Sequence, residues 1–373
     1  MAKKSKFIGT IGRSVAETQF AFETKESPSK GKPNVIYIVL DDTGFAQLGC
    51  YGSTIHTPNI DRLAKEGLRY NNFHTTAICS ATRASLLTGA NHHSAGVNTT
   101  TEGRTGLPNA QGGIDPHFAT LAEILKEYDY RTMAVGKWHL SGMDERTEAG
   151  PFHNWPLGKG FDTYYGFLAA DMDQWNPVLT RDNSMVEQPR KAGEGYHLSE
   201  DITENAIRYI YNHEFSYPEQ PFFLYLAYGA MHTPHHAPKE YIDKYRGKFD
   251  AGWDKIREEW FENQKRLGIV NDNAELTDRN EYVEAWDELS ENQKKAYARY
   301  MEVFAGFLEH TDAQIGALID YLEEAGILDD TIIVLLSDNG ASAEGGRDGH
   351  FNLNTSMDIR EDYPRDVELA LEH

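Results

Sequence analysis

Two apolar rhythms alternate along this chain. The run Asn34-Val35-Ile36-Tyr37-Ile38-Val39-Leu40 is apolar without a polar alternate, as in a central strand covered on both faces. It ends in Asp41-Asp42-Thr43-Gly44. Thr57-Pro58 then opens a helix with a capping hydroxyl and proline at the first position; Ile60, Leu63, Ala64 and Leu68 form its apolar face, and Gly67 lies near its end. Residues 118–128 read as a helix through Leu121, Ile124, Leu125 and Tyr128, followed by a strand over 131–135 that runs into Gly136-Lys137-Trp138-His139. Ser199 is placed to cap a helix carrying Ile202, Ala206, Tyr209 and Ile210, and residues 222–227 form a strand leading to His232. Phe304, Phe307, Leu308, Ile315, Leu318, Ile319 and Leu322 share one face of a long helix that stops near Gly326. A last buried-type strand, 331–336, runs into Ser337-Asp338-Asn339-Gly340. Strands alternating with helices predict an α/β fold around a largely parallel sheet with helices on both faces. Residues 1–33 read as an N-terminal arm ending in a polar linker, and residues 34–373 as one domain interrupted by a helical insertion at about 241–300.

Composition narrows the partners. A net charge of -22 opposes binding to nucleic acid and to anionic membranes. A site for an anionic substrate must therefore be made locally positive by a metal and clustered basic side chains. The two cysteines, Cys50 and Cys79, exclude a disulfide framework and leave at most one bridge. Residues 7–22 are too polar for a signal-peptide core, and no apolar run reaches membrane-spanning length. Cytoplasmic residence is the expectation, with periplasmic or secreted location requiring a removed signal or another export route.

The chemistry-bearing residues cluster after strands. Asp41-Asp42 follow the first, Lys137 and His139 another, His232 a third and Asp338-Asn339 a fourth. Ligands of open α/β sheets sit beyond the carboxyl ends of the strands, so these clusters converge. Asp41, Asp42, Asp338 and Asn339 offer hard oxygens that suit Ca²⁺ better than Mg²⁺, which prefers a tighter and wetter shell. His232, His235 and His236 alone suggest zinc, but their companions are oxygen donors. The run Cys79-Ser80-Ala81-Thr82-Arg83-Ala84-Ser85-Leu86-Leu87-Thr88-Gly89 adds a cysteine at a predicted helix start, where unpaired N–H groups and the dipole favour anions. Arg83 lies one turn on and can reach the same ligand.

The spacing from Cys79 through Arg83 to Thr88-Gly89 resembles the type I sulfatase signature, Cys-x-Pro-x-Arg followed by Thr-Gly, with Ala81 where proline is usual. Residues 34 to about 344 resemble the catalytic region of arylsulfatases in the alkaline phosphatase superfamily: Leu-Asp-Asp-Thr-Gly at 40–44, Gly-Lys-Trp-His at 136–139, Met-His-Thr-Pro-His at 231–235 and Ser-Asp-Asn-Gly at 337–340 stand in the family's order. Asn91-His92-His93 and residues 341–346 resemble the bacterial arylsulfatase branch.

The resemblance implies an alkaline-phosphatase-like fold and hydrolysis of sulfate monoesters, aryl sulfates or similar, to an alcohol or phenol and inorganic sulfate. It implies that a maturation enzyme converts Cys79 to formylglycine (3-oxoalanine), whose hydrate is the nucleophile. Ca²⁺ is then bound by Asp41, Asp42, Asp338, Asn339 and the modified residue 79. Arg83 holds the hydrate and Lys137 the sulfate. His139 takes a proton from the second hydroxyl, His232 protonates the leaving alcohol, and Asp338 helps to deprotonate the attacking hydroxyl. A geminal diol suits this chemistry, because one hydroxyl attacks sulfur and the other then expels sulfate, where a serine stalls at the ester. The family pattern also includes a second sulfate-binding lysine and a smaller C-terminal sheet, which are expected to be absent from a chain ending at His373. A phosphonate monoester or phosphodiester hydrolase on the same scaffold, and a non-catalytic fragment, are the competing readings. The alcohol portion of the substrate and the oligomeric state stay open.

Overall fold

The structure is a computed structural model that describes residues 9–19, 29–343, 346 and 349. Most of the expected arm 1–33, the C-terminal stretch, and Glu344 and Gly345 of the 341–346 run lie outside the described residues.

In chain order the elements are β1 (Asn34–Leu40), α1 (Pro58–Glu66), α2 (Cys79–Thr88), α3 (Leu121–Glu127), β2 (Arg131–Lys137), β3 (Thr163–Phe167), β4 (Leu179–Arg181), β5 (Ser184–Val186), α4 (Leu198–Ser216), β6 (Phe222–Ala227), α5 (Lys239–Asp243), α6 (Gly252–Arg266), α7 (Glu291–Glu324) and β7 (Thr331–Ser337). The strands form one seven-stranded sheet in the order β5-β4-β3-β2-β6-β1-β7. β3, β2, β6, β1 and β7 run parallel, and the hairpin β4–β5 is added antiparallel at one edge.

Strand side chains alternate between faces, and the core divides accordingly. Ile36, Ile38 and Leu40 of β1, with Leu224 and Leu226 of β6, pack with Ile60 of α1, Ile202, Ala206 and Ile210 of α4, and Phe307, Leu318 and Leu322 of α7. Val39 of β1, with Phe223 and Tyr225 of β6, packs on the opposite face with Ala84 and Leu87 of α2 and Ala122 of α3. The sheet is thus covered on both sides, as the unbroken apolar runs of β1 and β6 require. No helix among the described residues is long and apolar enough to cross a membrane.

Local details differ from the sequence expectations. β7 is an edge strand among the described residues, with Ile332 50% exposed and Val334 36% exposed, rather than fully buried. Thr57 does not cap α1. Its hydroxyl instead accepts the Gly49 N–H at 2.9 Å and donates to Asp61, while the Asp312 carboxylate from α7 accepts the N–H groups of Asn59 and Ile60 at 3.2 and 2.8 Å. Leu68 lies past the end of α1 and is exposed. α4 is capped by the His197 ring, which accepts the Ser199 N–H, so Ser199 falls inside the helix. α3 begins at Leu121 because Thr120 and Glu123 form a reciprocal capping box. Residues 241–300 hold the end of α5, α6, an irregular stretch and the first turns of α7.

Candidate active site

Strand register brings the polar clusters together. Leu40 of β1 pairs with Ser337 of β7, and the Asp338 N–H donates to the Leu40 carbonyl, so Asp41 and Asp338 leave the sheet side by side. Beyond β6 the chain stays paired with β1: Asp41 N–H donates to Ala230 and Met231 N–H to Asp41, which carries His232 to Asp42. On the other side of β6, β2 delivers Lys137. Gly136 has φ of 100°, and a Cβ there would meet the Ala227 carbonyl oxygen at 1.8 Å, so only glycine permits this close approach.

α2 supplies the remaining groups. Cys79 occupies its first position and Arg83 lies one turn on, both buried. Thr76 fixes the entry by bonding to the Thr82 hydroxyl at 2.8 Å, and Gly89, at φ of 67°, ends the helix. Ala81 takes the third helical position, where an N–H needs no intrahelical acceptor. Alanine there is as compatible with the helix as the proline of the commoner pattern.

The centre is a buried charge cluster of Asp41, Arg83, Lys137 and Asp338. Arg83 donates from Nε and Nη2 to Asp338 Oδ2 at 2.9 and 2.7 Å, and from Nη1 to the Lys137 carbonyl at 3.0 Å and the Tyr225 hydroxyl at 3.2 Å. Lys137 Nζ donates to Asp41 Oδ2 at 2.5 Å. Burial works to lower the Lys137 ammonium, but the Asp41 carboxylate overrides it and holds its pKa above the usual lysine range. Burial, reinforced by Asp41, pushes Asp338 up, against the pull of Arg83 and Lys137. Burial also pushes the Cys79 thiol up to about 11, so it is a neutral thiol near pH 7.

The donors leave a pattern of spare oxygens. Asp41 and Asp338 each bind a cation through Oδ2, while Oδ1 of each is buried without a hydrogen-bond partner. Asn339 donates from Nδ2 to Asp42 Oδ1 at 2.6 Å and to the Gly340 carbonyl, and its own Oδ1 is likewise unpartnered. Buried oxygens without donors are costly, and three at adjacent strand ends fit a cation. Ligand atoms of Asp41, Cys79 and Asp338 lie within 4.8 Å of one another, a group able to hold a metal ion. Asp42 stands outside that group. Its backbone turns through φ of 53°, and its Oδ2 lies 3.7 Å from His232 Nε2.

Two histidines flank the cluster. His139 Nδ1 is 3.1 Å from Cys79 Sγ, and its backbone is left-handed at φ of 52°. Burial, with Lys137 and Arg83 nearby, lowers its pKa to about 3 despite a favourable carboxylate contact. That contact is Glu102, which sequence reasoning missed: its Oε2 is 2.9 Å from His139 Nε2. His232 donates from Nδ1 to the Thr233 carbonyl at 2.7 Å, which leaves Nε2 as the nitrogen facing Asp42. Tyr225, also missed, reads in sequence only as an apolar strand residue. Cys50 is a buried free thiol distinct from this site, so no disulfide consumes Cys79. His235 and His236 join no metal-holding group among the described residues. The His235 ring donates to the Met231 carbonyl and packs on Phe304.

A largely parallel sheet gathers buried acidic, basic and thiol groups beyond its carboxyl edge, the layout of an α/β protein with a ligand site at the strand ends. The sulfatase family model matches residues 33–363, and the chain belongs to the sulfatase family. It is 37% identical over 340 residues to an uncharacterized sulfatase of Schizosaccharomyces pombe, covering 85% of this chain and 59% of that protein. It is 30% identical over 332 residues to the arylsulfatase of Klebsiella aerogenes, covering 84% of this chain and 68% of the relative. Among solved structures, Ps i-CgsB superposes with a TM-score of 0.61 at 25% identity, over 85% of this chain and 60% of its own. The chain thus spans about three fifths of the S. pombe protein and of Ps i-CgsB.

Proposed function

We propose that this chain carries the reaction centre of a sulfate monoester hydrolase acting on aryl sulfates or similar esters, with residue 79 matured to formylglycine and Ca²⁺ as the metal. The observation that carries the reading is the set of buried oxygens without a hydrogen-bond donor, Asp41 Oδ1, Asp338 Oδ1 and Asn339 Oδ1, beside Cys79 at the start of α2. Asp41, Asp42, Asp338 and Asn339 would hold the ion, and an all-oxygen protein cage favours Ca²⁺ over Mg²⁺. Bound there, a divalent cation supplies Lewis-acid stabilisation of charge on sulfate oxygens. Charge balance supports this. Asp41, Asp42 and Asp338 against Arg83 and Lys137 leave one negative charge; a divalent ion converts it to one positive charge, the complement of a monoanionic sulfate ester.

As the formylglycine hydrate, residue 79 supplies two hydroxyls on one carbon. Lys137 and Arg83 orient the anionic oxygens and stabilise them as charge shifts. His139 Nδ1, at hydrogen-bonding distance from the residue 79 side chain, holds the proton of one hydroxyl. His232, with Nδ1–H tied to the Thr233 carbonyl, serves as general acid in its imidazolium form, passing the Nε2 proton to the leaving oxygen and becoming the neutral Nδ1–H ring. The partners are a small sulfate ester and a formylglycine-generating maturation enzyme.

The test is co-expression with such an enzyme, followed by the mass of the peptide containing residue 79 and rates on an aryl sulfate and an aryl phosphonate ester. The reading expects the thiol replaced by an aldehyde and the sulfate turned over faster. Unmodified cysteine under conditions that convert a control sulfatase, or preference for the phosphonate, counts against it.

A further inference from the structure

We infer that Glu102 is a positioning residue for His139: its carboxylate, clamped by Arg146, keeps hydrogen on Nε2 of the ring and thereby aims a bare Nδ1 at residue 79. The functional weight of this inference rests on the hydrolytic reading above.

The geometry admits one tautomer. His139 Nε2 lies 2.9 Å from Glu102 Oε2, and a carboxylate oxygen can only accept. Hydrogen on Nδ1 instead would set two lone pairs against each other at that distance, inside the protein. Nδ1 is the nitrogen at 3.1 Å from Cys79 Sγ, so the bond on one edge of the ring decides what the other edge presents. The ring has nowhere else to turn. His139 is completely buried, its carbonyl accepts the Ser80 hydroxyl at 2.9 Å, and its left-handed backbone is locked between Trp138, bonded to the Phe167 carbonyl, and the following turn.

Glu102 is itself held from two sides. Arg146 Nη2 donates to Glu102 Oε1 at 2.5 Å and to the Thr101 hydroxyl at 2.6 Å, while Arg146 Nε is tied to the Ser141 carbonyl at 2.9 Å. A second ion pair, Arg104 to Asp144, crosses between the same two loops in the opposite sense. The loop carrying Glu102 is thereby stapled to the loop that follows His139. Burial opposes ionisation of Glu102, but its bonds to His139 and Arg146 hold its carboxyl far below the usual carboxylate range, so it stays an acceptor. Its bond to the ring ends on His139 Nε2, the edge opposite residue 79, which makes Glu102 an orienting group rather than a participant.

The test uses ¹⁵N-histidine labelling of the unmodified Cys79 chain, with His139 assigned by its loss in His139→Gln. The wild-type chain and Arg146→Lys should show protonated Nε2 and unprotonated Nδ1, and Glu102→Ala should bring the Nδ1–H form into exchange. On the converted chain, Glu102→Ala should lower kcat on an aryl sulfate roughly 100-fold or more with KM within about threefold, because the lost interaction matters in the transition state and not in binding. Glu102→Asp should recover part of that loss, and Glu102→Gln, nearly isosteric, should melt like the wild type. A Glu102→Ala chain that keeps the wild-type tautomer, or that keeps kcat within about threefold of an active wild type, overturns the inference. If the converted wild-type chain hydrolyses no sulfate ester, the hydrolytic reading fails, and the tautomer measurement still decides the positioning claim.

Discussion

Replacing Arg83 by methionine removes one charge from the centre while nearly keeping its volume. The guanidinium is completely buried and makes four hydrogen bonds, two of them to Asp338 Oδ2. Without it, the Asp41 and Asp338 carboxylates share the single ammonium of Lys137. Breaking a buried ion pair from one side costs about 3–5 kcal/mol, because the abandoned charge stays desolvated. With an unfolding entropy of about 2.1 cal/mol/K per residue over the roughly 330 described residues, that cost lowers Tm by about 4–7 °C. Calcium should restore part of the loss, since a divalent ion beside Asp338 replaces the missing positive charge. Calorimetry of Arg83→Met and wild type, each with Ca²⁺ and with chelator, measures both effects. A shift below about 1 °C in chelator, or no calcium-dependent recovery, would refute the picture of a balanced buried cluster.

Calcium should raise the Tm of the wild-type chain, and Asn339→Ala and Asp338→Asn should weaken that response; an equal response in both variants argues that the spare oxygens are not ligands. His232→Ala should slow esters of poor leaving groups roughly 100-fold or more and good ones far less, and a flat leaving-group dependence would reject a proton donor there. Asp312→Ala, which uncaps α1 from α7, should cost about 1–2 kcal/mol in denaturant titrations. Burial pushes Asp312 from an ordinary 3.8 up to about 6. The folded chain therefore keeps a proton that the unfolded chain releases, and this contribution to stability falls as pH rises through that window; Asp312→Asn should flatten that slope.

Much of the candidate site's layout was legible in sequence because its residues follow strands whose apolar runs are unambiguous. β1 and β6 announce themselves, and Asp41 and His232 come with them. Cys79 and Arg83 were legible through their spacing on an unbroken helix ending in Gly89. What escaped is what depends on tertiary partners. Glu102 sits in a Thr-rich turn 37 residues before the histidine it bonds, and nothing local marks it. The three-residue strands β4 and β5 are too short to carry a period. Thr57 looks like a cap in isolation, yet Asp61 recruits its hydroxyl and a carboxylate 252 residues from Ile60 takes over the capping. The edge position of β7 depends on which strands pair, which an apolar run alone does not encode.

Catalysis by a formylglycine at residue 79 is tested by the rate of aryl sulfate hydrolysis by calcium-loaded chain with measured aldehyde content, set against Cys79→Ala under the same conditions. Turnover should be proportional to the aldehyde fraction, and Cys79→Ala should lose about 1,000-fold or more, as expected when a nucleophile is removed. Equal rates in the two, or turnover independent of aldehyde content, would contradict it.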